Sequence, residues 1–318
     1  MTSVDSAELA VDGPWQHRFV PANGARFHVA VAGPDDRDAP LVVLLHDVMQ
    51  DWWAWRHQLP RLADAGYRVA AMDLRGTGGS DKPPHGYDVP TLATDVARVV
   101  RSLGADEAVL IGSGTGGGIA WTTAAMHGDV ALAVGALSTA HPLDAHTAAL
   151  RPAAARHLAY ALLPSLPERS LTKRGLLPRL LATFGGGHGW PDAGTVHRYR
   201  RALQVPFAAH SQLEQVRWLV RSAPRLDGRR YHAVFDDARP VPVLQVHGDA
   251  DGVRTATSAR PSHRALAGAA SYRWELIRGR GHYLPEEAPD LVGDLLLDWL
   301  AEVVRPSASP PHPPRQQR

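Results

Sequence analysis

The chain has 318 residues, 44% of them hydrophobic and 21% charged, an ordinary balance for a soluble globular protein and enough length to bury a large core. Lys+Arg minus Asp+Glu is 34 − 32 = +2, and although the pI is near 9.1 there is no basic block or aromatic–basic stripe, which argues against nucleic acid as a partner. Cysteine is absent, so disulfides, thiolate nucleophiles and cysteine metal sites are excluded. The opening "MTSVDSAELAVDGPW" has neither the basic flank nor the apolar core of a secretion signal, and no apolar run reaches the ~20 residues of a membrane span. A soluble, cytoplasmic protein without a membrane partner is expected.

In chain order, residues 1–13 are polar and expected to be disordered. Short, nearly continuous apolar runs follow: "LVVLLH" (41–46), "RVAAMD" (68–73), "AVLIG" (108–112), "ALAVGALS" (131–138), "VPVLQVHG" (241–248) and "YRWELIRG" (272–279). Such runs suit parallel strands covered on both faces. Between them lie helical patterns, with Leu92, Val96, Val99, Val100 and Leu103 on one face, and Val292, Leu295, Leu296, Trp299 and Val303 on another. Alternating strand and helix predicts an α/β fold with a doubly wound, mostly parallel sheet. The alternation lapses at 141–240, which reads as a helical lid inserted between two strands, over the carboxyl ends where such sheets bind ligands. The core is thus expected at 14–140 and 241–304, with a disordered Pro-rich tail at 305–318.

The ordered motifs are "HDVMQDWWAWRHQLPRLADAGYRVAAMDLRGTGGSDKP" (46–83), "LIGSGTGGGIAW" (110–121), "GWPDAGTVHRYRRAL" (189–203), "LQVHGDADGV" (244–253) and "GRGHYLPEEAPD" (279–290). On these, the chain resembles the α/β-hydrolase superfamily, and within it the epoxide hydrolase-like branch, from about residue 16 to about residue 303. The resemblance implies a nucleophile on a sharp strand-to-helix elbow, an Asp–His pair that activates water, and an oxyanion hole made by backbone N–H groups. It also implies two lid tyrosines that protonate an epoxide oxygen.

By motif and place, His282 matches the family's catalytic histidine, and Asp251 its acid, with Asp249 the near alternative. Such an Asp fixes the imidazole tautomer and stabilises the imidazolium. The oxyanion donors implied are the N–H groups of Val48 and Thr115.

The elbow itself departs from the family. It reads Gly112, Ser113, Gly114, Thr115, Gly116, so glycine stands at the nucleophile position. Ser113 is expected to point away from the pocket, and Thr115 replaces the nucleophile only if the whole elbow slips by one residue. In "HDVMQ" Asp47 takes the place of the usual glycine. It either faces the oxyanion site, where it repels developing negative charge, or turns to solvent and leaves the Val48 amide free. In the lid, His157 and Val216 stand where tyrosines are implied, with Tyr160 one helical turn from His157. The expected pocket therefore includes Asp47, Trp52, His157, Tyr160 and Val216, although Trp52, Trp53 and Trp55 also suit packing of the first helix.

The resulting expectation is a pseudo-enzyme of this fold that binds a small hydrophobic molecule without hydrolysing it, with no cofactor and no metal. Two alternatives stay open. One is an active hydrolase of epoxides or esters with a non-standard nucleophile. The other is a His282/Asp251 general-base enzyme of lyase, cyclase or cofactor-free oxygenase type.

Overall fold

The computed structural model describes residues 4–145, 148–173, 175–267 and 269–304. Its sheet has eight strands in the order β1-β2-β4-β3-β5-β6-β7-β8. They are β1 (Gln16–Ala22), β2 (Ala25–Ala32), β3 (Leu41–Leu45), β4 (Arg68–Met72), β5 (Ala108–Ser113), β6 (Ala131–Leu137), β7 (Val241–Gly248) and β8 (Ala269–Ile277). From β4 to β8 all pairings are parallel, while β1, β2 and β4 pair antiparallel. This is the expected α/β-hydrolase architecture.

The leading hairpin is absent from the expectation. Its turn is Asn23-Gly24, with φ of 43° and 72°, and Ala22 faces Ala25 across it. A two-residue turn with both φ positive matches the twist of an antiparallel pair, which is why Asn-Gly favours it.

β3 shows why the apolar runs are continuous. All five of its residues are buried. Val43 and Leu45 join a core with Leu92, Val96 and Ile119 on one face of the sheet, and Val42 and Leu44 join Trp55, Leu59, Leu296 and Trp299 on the other. Helices α1 (Gln58–Asp64), α2 (Val89–Ser102) and α3 (Thr115–Met126) lie between the early strands. The last strands are followed by α10 (Ala256–Ala259), α11 (His263–Leu266), α12 (Leu284–Glu287) and α13 (Pro289–Val303).

Between β6 and β7 run α4 (Pro152–Ala161), α5 (Leu166–Thr172), α6 (Leu176–Phe184), α7 (Ala193–Gln204), α8 (Ala208–Ser222) and α9 (Leu226–Ala233). They share a core of Leu171, Leu177, Leu181, Tyr199, Leu203 and Leu213 that also takes in Met49 and Tyr283, so the segment is packed onto the loops of the site.

The N-terminal expectation needs correction over residues 4–9. Asp5 and Glu8 form a reciprocal capping box around a short turn of 3-10 helix, and Val4 and Leu9 pack on Ala202, Val205 and Ala208. Two buried aliphatic side chains and a satisfied cap order a stretch whose composition is polar. The tail 305–318 lies outside the described residues.

Candidate active site

The carboxyl ends of five strands converge on one place. Asp47 follows β3, Gly114 follows β5, Ser138 follows β6, Asp251 follows β7 and His282 follows β8. The β5–α3 turn is tight because its neighbours are small. A Cβ on Gly112 would lie 2.2 Å from the Gly116 carbonyl carbon, and one on Gly116 would lie 2.4 Å from the Leu45 oxygen. Gly114 at the apex has φ 52° and ψ −118°, a conformation that strains any residue with a side chain.

Asp47 is held facing inward. His46 fixes the backbone before it: Leu74 N–H donates to His46 Nε2 (3.1 Å), which leaves Nδ1–H to donate to the Asp47 carbonyl (2.7 Å). Asp47 is only 4% exposed. Its Oδ1 accepts from the N–H groups of Val48 and Thr115, each at 2.7 Å. Its Oδ2 lies 3.1 Å from His282 Nε2, and His282 Nδ1 lies 2.8 Å from Asp251 Oδ2. Of the two orientations open for Asp47, the inward one is found. Val48 and Thr115 do aim their amides at a common point, and the Asp47 carboxylate occupies it.

Asp251, not Asp249, faces the histidine. Its Oδ1 accepts from Val253 N–H (2.6 Å) and Arg254 N–H (3.1 Å), while Asp249 accepts from Gly279 N–H on the far side of the loop. A further buried ring, His247, brings Nε2 to 3.4 Å from Asp251 Oδ2.

The charges follow from these contacts. Burial pushes the Asp47 carboxyl up, but the hydrogen bond and charge of His282, with the Thr115 and Val48 amides, outweigh it and hold the group below its ordinary value. Asp251 is lowered in the same way: burial opposes, and His282 prevails. Burial pulls His282 down, yet the charges and hydrogen bonds of Asp251 and Asp47 push it up to about 10. The resting triad is therefore carboxylate, imidazolium, carboxylate.

Two further contacts lock the His282 loop. The Phe184 carbonyl at the end of α6 accepts from both Gly252 N–H and His282 N–H, each at 3.0 Å. Buried Glu287 accepts from Gly186 N–H (2.7 Å) and Gly281 N–H (2.8 Å) on one oxygen, and from Tyr283 N–H (2.9 Å) on the other.

Above the triad lies a cavity of about 690 Å³ whose walls are mostly Ala, Leu and Val, joined by Asp47, Gly114, Thr115, Ser138, His157, Tyr160, Val216, Phe184, His282 and Tyr283. His157 packs edge-on against Phe184 (5.7 Å), and Phe184 against His282 (6.4 Å). The Tyr160 hydroxyl is engaged with Ser170 Oγ at 2.6 Å, and Val216 offers no polar atom. Trp52 does not line the cavity. It is fully buried beneath the site, packed edge-on against Trp15, His17 and Trp53, with its indole N–H donating to the Leu9 carbonyl. Ser113 Oγ is buried and does not line the cavity either.

Ser138 and Tyr283 also line this cavity, and neither was expected there. The signal for Ser138 was its place just past the end of a parallel strand, and for Tyr283 its place next to His282 in the chain. Tyr283 stacks at a tilt on Trp190 (4.5 Å) and edge-on against His282 (5.3 Å), and its phenol makes no hydrogen bond among the described residues. Burial, with the nearby charges of Asp47 and Asp251, raises it well above the ordinary tyrosine value, so it stays protonated.

Fold, triad and cavity together define a hydrolase-type scaffold, and the chain belongs to the α/β hydrolase fold family, which matches residues 40–289. Among individual proteins it is similar to epoxide hydrolase A of Mycobacterium tuberculosis, 31% identical over 89% of this chain and 96% of that protein. It is 44% identical to epoxide hydrolase B of the same organism over 115 residues, which is 36% of this chain and about a third (32%) of that relative's length. The solved structure of epoxide hydrolase A from Mycobacterium thermoresistibile superposes with a TM-score of 0.74 at 26% identity, covering 90% of this chain and 98% of that one. The homologues are thus epoxide hydrolase-like, as the motifs implied. Among the described residues no helix is long and apolar enough to cross a membrane.

Proposed function

We propose that the protein is a hydrolase of small apolar electrophiles, epoxides foremost, in which Asp47 supplies the nucleophile that Gly114 cannot. One observation carries this reading: the Asp47 carboxylate has one oxygen on two backbone N–H groups and the other on the His282–Asp251 pair. A carboxylate so held can attack carbon through Oδ2 and keep Oδ1 in an oxyanion hole. In this scheme Oδ2 bonds to a ring carbon, the C–O bond breaks, and an Asp47 ester forms. The departing oxygen takes the Tyr283 phenol proton, and His282 replaces that proton through pocket water.

Ester formation removes the Asp47 charge, one of the two that hold His282 protonated, so the ring becomes a base only once the intermediate exists. Water then attacks Cγ and gives a proton to His282. The tetrahedral oxygen rests on the Val48 and Thr115 amides, and collapse releases the diol and restores the starting charges. Residues 141–240 act as the lid, the ligand is a small hydrophobic molecule, and the cytoplasm is the proposed site of action.

A second reading, a binding protein without turnover, is favoured by one observation. Val216 and the engaged Tyr160 leave neither lid position with a free phenol. A base-only enzyme needs a neutral His282 in the resting site, and the two carboxylates oppose that.

The discriminating experiment uses styrene oxide in heavy-oxygen water. Repeated turnover should place the label in the peptide containing Asp47, and a His282→Ala variant should accumulate an alkyl adduct on that residue. Binding of styrene oxide with no diol, no label and no adduct selects the second reading.

A further inference from the structure

Ser138 stands out among the hydroxyl groups of the cavity. It is 2% exposed, its Oγ has no hydrogen-bond partner among the described residues, and its φ of 53° is in the left-handed region that disfavours a residue with a side chain. Of the neighbouring pocket hydroxyls, Tyr160 is engaged with Ser170 (2.6 Å), Tyr231 with Thr122 (3.1 Å) and Thr139 with the Ala140 carbonyl (3.3 Å), while the Tyr283 phenol already has a part as the proton donor proposed above. A strained backbone that holds an unpaired, buried hydroxyl on a residue lining the cavity suits a group whose partner is a ligand, reached by a turn about the Ser138 Cα–Cβ bond.

Its position narrows what that ligand is. Ser113 of β5 pairs in register with Leu137 of β6, and Gly114 N–H donates to the Leu137 carbonyl at 2.9 Å. Ser138 is therefore about one strand spacing, ~4.8 Å, from Gly114, on which the Asp47 carboxylate rests. It lies beside the nucleophile. In an in-line displacement the departing oxygen leaves on the opposite side of the carbon, so Ser138 addresses a neighbouring substituent instead.

We infer that Ser138 is a substrate-recognition residue that hydrogen-bonds an oxygen substituent a few bonds from the reacting carbon, which directs the site to glycidyl ethers and kindred oxygenated epoxides over plain hydrocarbon epoxides. This rests on the hydrolase reading of the pocket. The test compares phenyl glycidyl ether with its carbon analogue, in which CH2 replaces the ether oxygen. Wild type should favour the ether roughly five- to tenfold in kcat/KM, the effect of one neutral hydrogen bond. Ser138→Ala should abolish that preference, the ether losing about five- to tenfold more in kcat/KM than the carbon analogue. Ser138→Gly, which suits the left-handed φ, repeats the measurement should the alanine variant fold poorly.

An equal preference in wild type and variant overturns the inference, and so does an equal loss on both substrates, which would put the hydroxyl on the departing oxygen. Calorimetry with the two corresponding diols separates this from the nucleophile assignment. An ether preference in binding that Ser138→Ala removes, without any turnover, supports Ser138 and sinks Asp47 alone. Turnover with a preference indifferent to Ser138 does the reverse.

Discussion

The Asp47 carboxylate stands where a side chain on Gly114 would have to begin: a Cβ built on Gly114 would lie 2.2 Å from Asp47 Cγ. A carboxylate at 47 and a side chain at 114 are therefore mutually exclusive. Against the pattern that the resemblance implies, the proposed nucleophile sits on the loop after β3 instead of on the elbow after β5.

Gly114→Asp alone should destabilise the fold by about 1–3 kcal/mol, through left-handed strain and overlap with Asp47, and should not produce epoxide hydrolysis by a second route. Urea unfolding and diol formation measure both. The double variant Asp47→Gly with Gly114→Asp removes the overlap and returns a single carboxylate to the elbow. It should unfold at higher urea than the single variant and regain turnover.

Asp251→Asn should lower turnover by about 10³–10⁴, because the amide cannot hold the tautomer that leaves His282 Nε2 facing Asp47. Substrate affinity should change little, since Asp251 lies behind the ring. Steady-state kinetics on styrene oxide separate the two effects.

Stability should depend on pH in a defined way. The folded pKa of His282, about 10, lies above its ordinary 6.5, so its contribution is complete below 6.5 and is lost as pH rises through 10. Asp47 is lowered, so its contribution holds above 3.8 and is lost as pH falls through the folded value. The urea midpoint should drop between pH 7 and 10, and Asp47→Asn, which removes one of the two partners that raise His282, should flatten that drop.

Beneath the site, Glu286 is fully buried and accepts from Arg56 (2.5 Å), Tyr199 (2.6 Å) and Gln50 (2.7 Å). Arg56→Met strips this group of its paired cation and should cost about 3–5 kcal/mol in denaturant unfolding. Adding Glu286→Gln should recover part of that loss, because no buried charge is then left uncompensated.

Much of this was legible in the sequence. Five parallel strands, β3 to β7, announced themselves as continuous apolar runs, because a strand covered on both faces leaves no polar alternation to confuse the reading, while the edge strand β8 showed instead as Tyr272, Trp274 and Leu276 alternating with Arg273 and Glu275. The hairpin of β1 and β2 did not, since the His and Arg residues of "QHRFVPANGARFHVAVA" interrupt its apolar pattern, with His28 buried against Asp73, yet Asn23-Gly24 was the available signal. His282 and Asp251 were found because each sits at a fixed offset from a strand end. Asp47 was found as a departure, but its direction was not, because a loop side chain has no period to say which way it faces. Trp52 was misplaced for the same reason. Its inward packing depends on Trp15, His17 and Leu9, which are distant in sequence and reach it only through the fold.

The carbonyl of Phe184 has a mechanical consequence. It grips the loops of the acid and the imidazole at once, while Glu287 ties the turn after α6 to the residues flanking that imidazole. Swinging the end of α6 outward would unseat Asp251 and His282 in the same movement, leaving Asp47 without its counter-ion. Opening at that end and disarming the triad are one event.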